Sequence, residues 1–332
     1  MDEAPTLTPA HRDRRTGLMV FGILEIGLGF LCVLAAGAMM LGQVLVARQA
    51  GTPVRTQIII PGLLLYAGLA VAFVWLGIGS IQCRRWARAL LLILGWVWLG
   101  MGVLMVPMMA WLMPKILASA PPPPGAETLP PAVMTLIVLF QILFLSVFFI
   151  LLPGTLVLFY WSRHVKLTCD VRDPIRRWTD SCPLPDLAVA CFAWCSAAMM
   201  LSLPLAKLAM FPLFGTILTG LPAFLLVIAM AGVMFWIGHS WYRLKVAGWW
   251  TWLGLLLVLI VSNLLTFSRV DIIEVYQKMG YPQEQIDLIR KQGWMTSRFI
   301  VWSSLFCSVP MVAYILWVKR FFQERNPPAP NQ

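Results

Sequence analysis

Long apolar runs, nearly free of charge, alternate along this chain with short polar clusters. A spanning helix needs about 20 mostly apolar residues. Runs of that kind occupy 17–47, 57–82, 89–113, 133–160, 187–210, 216–238, 248–267 and 299–318. Spanning strands would alternate with period two, whereas these runs are continuously apolar, and only helices or closed barrels satisfy the backbone in lipid. The pattern therefore predicts an all-α, polytopic transmembrane helical bundle of about 8 spans. A Pro-rich loop (Pro121 to Pro124, then Pro130-Pro131) separates spans three and four, and a tight turn at Phe211-Pro212 is expected between spans five and six. Segments 161–186 and 268–298 are polar, and the tail through Asn326-Pro327-Pro328-Ala329-Pro330 reads as disordered. The run after Arg12, Arg14 and Arg15 is far longer than the 7–15-residue apolar region of a signal peptide, so it is expected to remain as the first span.

Composition sharpens the class. Of 332 residues, 60% are hydrophobic and 12% charged, with a mean hydropathy of +0.82. A soluble domain carries roughly 25% charged residues, and a soluble fold of this length has nowhere to hide so much apolar surface. The 16 Trp suit membrane–water interfaces. The net charge of +11 does not point to nucleic acid, because the basic residues sit in short clusters beside apolar runs and form no long basic face. That is the distribution of topogenic charge and of attraction to anionic headgroups.

Lys and Arg also set the orientation. With the N-terminus in the cytoplasm, inner segments hold sixteen of them, among them Arg84, Arg85, Arg88, Arg163, Lys166, Arg172, Arg176 and Arg177. Outer segments hold eight, five of them in one long loop that Asp271, Glu274, Glu284 and Asp287 nearly balance. Both termini are expected to be cytoplasmic, in a cell (inner or plasma) membrane. Cys83, Cys169 and Cys182 fall on the inner side and Cys32, Cys191, Cys195 and Cys307 within spans, which implies no external disulfide framework.

The two halves look related. Ala38-Met39-Met40-Leu41 recurs as Ala198-Met199-Met200-Leu201, Thr56 as Thr216, Pro61 as Pro222, and Trp75 with Gly77 as Trp236 with Gly238, at offsets of 160 to 161 residues. Trp98-Leu99-Gly100 recurs as Trp252-Leu253-Gly254, after what reads as a shorter inner loop, and Pro153 matches Pro310. Repeats of four spans each enter the membrane from the same side, so the expected symmetry axis runs along the membrane normal. The organisation expected is a cytoplasmic segment 1–16, a first four-span repeat 17–160, a cytoplasmic connector 161–186 with a short interfacial helix, a second repeat 187–318 with an outer helical hairpin at 269–293, and a tail 319–332. The small-residue pairs Ala38/Gly42 and Ala198/Ser202 predict close packing of spans one and five.

Candidate functional residues are few. Glu25 is an ionisable group inside a span, costly in lipid and therefore a functional candidate. The structural alternative is that it lies two turns in and reaches water or an Arg. Gln141, Ser262 and Asn263 are candidates to line a path, or to hydrogen-bond between helices. Lys207 lies where it can snorkel. In the connector, Asp173 before Pro174 reads as the cap of a short helix Pro174–Trp178 showing Arg176, Arg177 and Trp178 to the headgroups, with Arg84 and Arg85 beside them. His164, Cys169 and Cys182 lack the paired spacings of a zinc site, so no metal or cofactor is expected.

The connector's His164-Val165-Lys166, Thr168-Cys169, Arg172-Asp173-Pro174, Arg177-Trp178-Thr179-Asp180 and Cys182-Pro183-Leu184-Pro185 resemble a segment of uncharacterised multi-pass bacterial membrane proteins. The resemblance implies the membrane class and no activity. Phosphate-binding loops, dinucleotide fingerprints, zinc-protease and nucleophile-elbow motifs are missing. The reading is a non-enzymatic assembly or accessory component, with the bilayer, its anionic headgroups and another membrane protein or a second copy as partners. The alternative is a transporter or channel for a small apolar or weakly polar solute moving between the repeats, and the remaining rival is an enzyme using Cys169 or His164.

Overall fold

A computed structural model describes residues 12–49, 56–119, 130–205, 210–278, 283–293 and 296–325. The loop prolines 121–124, Lys207, Gly280, Pro282 and the proline-rich tail lie outside the described residues. The chain is an all-α membrane protein, and among the described residues eight helices are long and apolar enough to cross a bilayer. They are carried by α1 (Arg15–Gln49), α2 (Thr56–Ile81), α3 (Arg85–Ser119), α4 with α5 (Pro131–Ser146 and Leu152–Trp161), α7 (Leu184–Leu205), α8 (Gly220–Tyr242), α9 (Val246–Arg269) and α12 (Ser297–Arg325). Shorter helices are α6 (Arg163–Arg172), α10 (Ile272–Lys278) and α11 (Gln283–Gln292). Exposed apolar side chains such as Val71, Phe140, Leu158 and Trp302 cover the spans, as lipid-facing surfaces require.

Local chemistry explains the breaks. A π turn, Val147–Leu151, joins α4 to α5 just ahead of Pro153. The proline ring has no N–H to give and crowds the carbonyl four residues back, and widening the turn relieves both problems. Gly102 of α3 lies against this turn, where a Cβ would collide with the carbonyl of Phe149. The start of α12 is capped by Thr296, whose hydroxyl accepts the N–H of Phe299 at 3.2 Å.

The contacts divide the chain into two compact units. The first comprises Met1–Val54, Gly62–Leu99 and Leu151–Leu184, and the second Arg55–Pro61, Gly100–Ile150 and Pro185–Gln332. Spans two, three and four contribute to both. In the first unit, Leu18, Leu76, Leu91, Leu156, Tyr160, Val165 and Cys169 form one buried cluster. There α1 and α2 meet at glycines: a Cβ on Gly77 would lie 2.6 Å from the Gly22 carbonyl oxygen, and one on Gly22 2.7 Å from that of Gly77. In the second unit, Gly238 of α8 lies against α7, 3.0 Å from the Ala190 carbonyl by the same measure.

Within the first unit Ala38 and Gly42 are exposed, with open space at Gly42, and α1 approaches α2 at Gly22. Two expectations are corrected. The turn between spans five and six is a β-hairpin, β1 (Met210–Leu213) with β2 (Thr216–Thr219), in register Met210↔Thr219 to Leu213↔Thr216. Phe211 and Pro212 are strand residues, and the reversal is made by Phe214 (φ 43°) and Gly215 (φ 97°), positive-φ positions of a type I′ turn. The inner loops 82–84 and 243–245 are equal in length. Both follow the Schellman pattern. Cys83 (φ 55°) donates to Ser80 O and Arg84 to Gly79 O, and 161 residues later Leu244 (φ 53°) donates to Trp241 O and Lys245 to Ser240 O, all at 2.9 Å. The second loop is not the shorter one, so the Trp98/Trp252 match falls out of the 161-residue register by two helical turns.

Candidate functional site

Glu25 lies ten residues into α1, about 15 Å along its axis at 1.5 Å per residue. Its partners nevertheless come from the connector-side ends of two other spans. The Tyr160 hydroxyl, one residue from the end of α5, donates to Glu25 Oε1 at 2.9 Å. Ser80, one residue from the end of α2, lies 2.6 Å from the Tyr160 oxygen and donates to the Leu18 carbonyl at 3.0 Å. The depth paradox resolves because the first turn of α1 belongs to the connector layer: the backbone N–H of Arg14 is bound by Thr168 Oγ1 at 3.1 Å, and Leu18 packs with Val165 and Cys169. Glu25 is thus close to the polar end, yet it is fully buried, as are Tyr160 and, within 1%, Ser80. Among the described residues no cation pairs with it, and its Oε2 has no hydrogen-bond partner. Among the described residues no arginine reaches it. A carboxyl buried this completely is costly to maintain.

The other candidates within spans are placed in the second unit, and they are distributed among several elements. Ser262 Oγ donates to Pro212 O at 3.0 Å and accepts the Phe214 N–H at 3.1 Å. One turn on, Thr266 Oγ1 accepts the Gly215 N–H at 3.0 Å. These two hydroxyls hold both positive-φ residues of the hairpin against α9. Asn263 donates to Ser304 Oγ of α12 at 2.7 Å, beside a groove of about 250 Å³ lined also by Leu256, Leu259 and Ser308. Gln141 is half-buried on α4, with no hydrogen-bond partner among the described residues.

The connector is built around Asp173. Instead of opening a helix, it ends α6, and 174–177 are non-helical before a 3₁₀ turn at Trp178–Asp180. The Pro174 helix does not form because the Asp173 carboxylate is committed elsewhere. Its Oδ1 takes Arg177 Nη2 at 2.9 Å, its Oδ2 the backbone N–H of Arg85 at 3.3 Å, and Arg84 stands 3.7 Å away. Burial raises the pKa of this carboxyl, and the Arg177 hydrogen bonds, the Arg85 amide and the two arginine charges overcome that, holding it below the ordinary carboxylate value. Arg85 in turn lies 3.3 Å from both Asp170 and Asp180. Arg84, Arg85 and Arg177 are therefore engaged with carboxylates, while Ile175, Arg176 and Trp178 are exposed.

Cys169 is 1% exposed, and burial pushes its thiol up to about 12, away from the thiolate that nucleophilic chemistry needs. Burial likewise raises Cys83. Among the described residues no group of three or more His, Cys, Asp or Glu could hold a metal ion.

Sequence reasoning missed four features. Tyr160 ends the fourth apolar run, and nothing in the sequence pairs it with Glu25. Thr266 sits one helical turn from Ser262, a spacing that could have paired them. Asp186 fell at the edge of the connector, but it is fully buried in the first turn of α7, next to Pro185 whose carbonyl accepts from Tyr314 at 3.0 Å. Arg14 was read only as topogenic charge. Comparison with known protein families, curated proteins and solved structures finds no match to this chain.

Proposed function

We propose that this chain is a non-enzymatic assembly or accessory component of the cell membrane, with both termini and the 161–186 connector in the cytoplasm, as multi-pass bacterial proteins with a similar connector would be. The observation that carries the reading is how the polar groups of the second unit are used: Ser262, Thr266 and Asn263 each tie one structural element to another. Such bonds build a rigid scaffold. Partners are another membrane protein or a second copy. The test is to purify the chain in mild detergent and reconstitute it in proteoliposomes. The reading expects a complex of fixed stoichiometry and no solute flux above empty vesicles; a monomer that moves solute overturns it.

Duplication underlies the architecture in this proposal. Its support is the pair of Schellman turns 161 residues apart, the close approaches of Gly77 and Gly238 to the preceding span, and a buried acid on each of spans one and five, Glu25 and Asp186, within one residue of the 160-residue offset.

The burial of an acid within a span, at Glu25, favours a second reading, movement of a small apolar or weakly polar solute between the two repeats. It predicts that Glu25→Gln abolishes flux while leaving the protein folded.

A further inference from the structure

A cavity of about 410 Å³ in the first unit is lined by Arg14, Thr155, Leu158, Phe159, Ser162 and Val165. Its chemistry is graded. Thr155 and Leu158 belong to the lipid-facing side of α5, Leu158 being 76% exposed. Arg14 and Ser162 belong to the layer where the chain leaves the membrane, and Trp161 beside them is exposed as interfacial Trp residues are. Arg15, Arg163 and Lys166, all exposed, are close in sequence to the polar lining. Among the described residues none of these four cations makes an ion pair, and the nearest acid in sequence, Asp13, is taken by Arg172 at 2.9 Å. The contrast with Arg84, Arg85 and Arg177, all neutralised by aspartates, is sharp. The walls are fixed: Phe159 stacks on Phe21 at 4.2 Å, Gly17 lies against its ring, and the Arg14 backbone is pinned by Thr168.

We propose that this cavity holds one anionic phospholipid, its phosphate at Arg14 and Ser162 and an acyl chain running out along Thr155 and Leu158. The cavity accommodates a headgroup and the first methylenes, and the rest of the chain continues over the exposed face of α5. Unpaired cations at one end and a lipid-facing apolar wall at the other match an anionic amphiphile. They do not match a zwitterion, whose own cation meets Arg14, or a free anion, which gains nothing from Leu158. Arg84, Arg85 and Arg177, expected to meet headgroups, do so less, because their charge is spent on Asp170, Asp173 and Asp180.

The test is native mass spectrometry of the full chain in detergent, titrated with phosphatidylglycerol, phosphatidylcholine or inorganic phosphate. One phosphatidylglycerol is expected to be retained in preference to phosphatidylcholine. Arg14→Gln is expected to weaken it about fivefold, the effect of removing one basic residue facing anionic lipid, and Leu158→Gln to weaken it as well. Arg14→Lys, which keeps the charge, is expected to preserve most of the preference, and Arg176→Gln, on the connector, to change nothing. Equal retention of the two lipids, an unchanged Arg14→Gln in a protein that melts like the parent, or an equal effect of Arg176→Gln overturns the proposal. Displacement by millimolar inorganic phosphate overturns it in favour of a free-anion site.

Discussion

Replacing Gly77 with alanine tests how α1 and α2 are held together. The added Cβ would lie 2.6 Å from the Gly22 carbonyl oxygen, 2.8 Å from Ile26 Cγ1 and 3.2 Å from Ile26 N. An unstrained carbon–oxygen contact is about 3.3 Å, so the helices must separate by roughly that shortfall. The nearest obstacle is backbone, which cannot rotate away as a side chain can. Overpacking of this kind costs about 1–3 kcal/mol, and at about 2–4 °C per kcal/mol the melting temperature should fall by roughly 2–12 °C. The assay is thermal unfolding in detergent read by a thiol-reactive dye, because Cys83 and Cys169 are buried in the same unit. Gly68→Ala is the control, since nothing lies within 4 Å of its would-be Cβ; removing a glycine from an open helical site should be neutral or stabilising by up to about 1 kcal/mol. If Gly77→Ala melts no lower than Gly68→Ala, the glycine contact does not hold these spans and the packing argument is wrong.

Tyr160→Phe removes the single hydrogen bond to Glu25 and should cost about 1–3 kcal/mol; in a Glu25→Leu background the same change should cost much less, so additive losses in this double-mutant cycle would refute the coupling. Asp173 has a folded-state pKa below its ordinary value, so its ion pairs contribute stability that is complete above that ordinary value and lost as the pH falls through the folded one. A melting series should therefore show a loss beginning below about pH 4 that Asp173→Asn lacks, and parallel curves would contradict it. Ser262→Ala with Thr266→Val should free the turn at Phe214 and Gly215, raising amide exchange across 210–219 while α9 stays protected; unchanged exchange would show that the hydroxyls do not hold the hairpin.

Hydropathy alone made the eight apolar helices legible, because continuously apolar runs without period-two alternation leave helix as the spanning structure and the runs have the length a bilayer sets. Breaks inside the membrane were harder to read. The hairpin at 210–219 looks like the end of one apolar run and the start of the next, and what marks it is polar chemistry on another helix, the Ser262 and Thr266 hydroxyls that satisfy its turn. Small-residue spacing did not point to Gly22 and Gly77, since spacing says which residues share a helix face but not which face meets a neighbour. Glu25 was recognisable as unusual; its partners were not, because Ser80 and Tyr160 are far away in sequence and become neighbours only once α1 is seen to start in the connector layer. Asp173 carried a valid capping signal, and the nearby arginines outcompeted it.

We propose that this multi-pass protein keeps its arginine-rich connector on the cytoplasmic side and the α10–α11 segment on the other. Cysteine labelling tests it most directly, with Ile175→Cys and Arg290→Cys, both exposed sites, placed singly in a chain whose native cysteines are replaced by serine or alanine. An impermeant maleimide added to intact cells should label position 290 at once and position 175 only after permeabilisation. Labelling of both positions from the same side, or of position 175 alone in intact cells, would contradict the account.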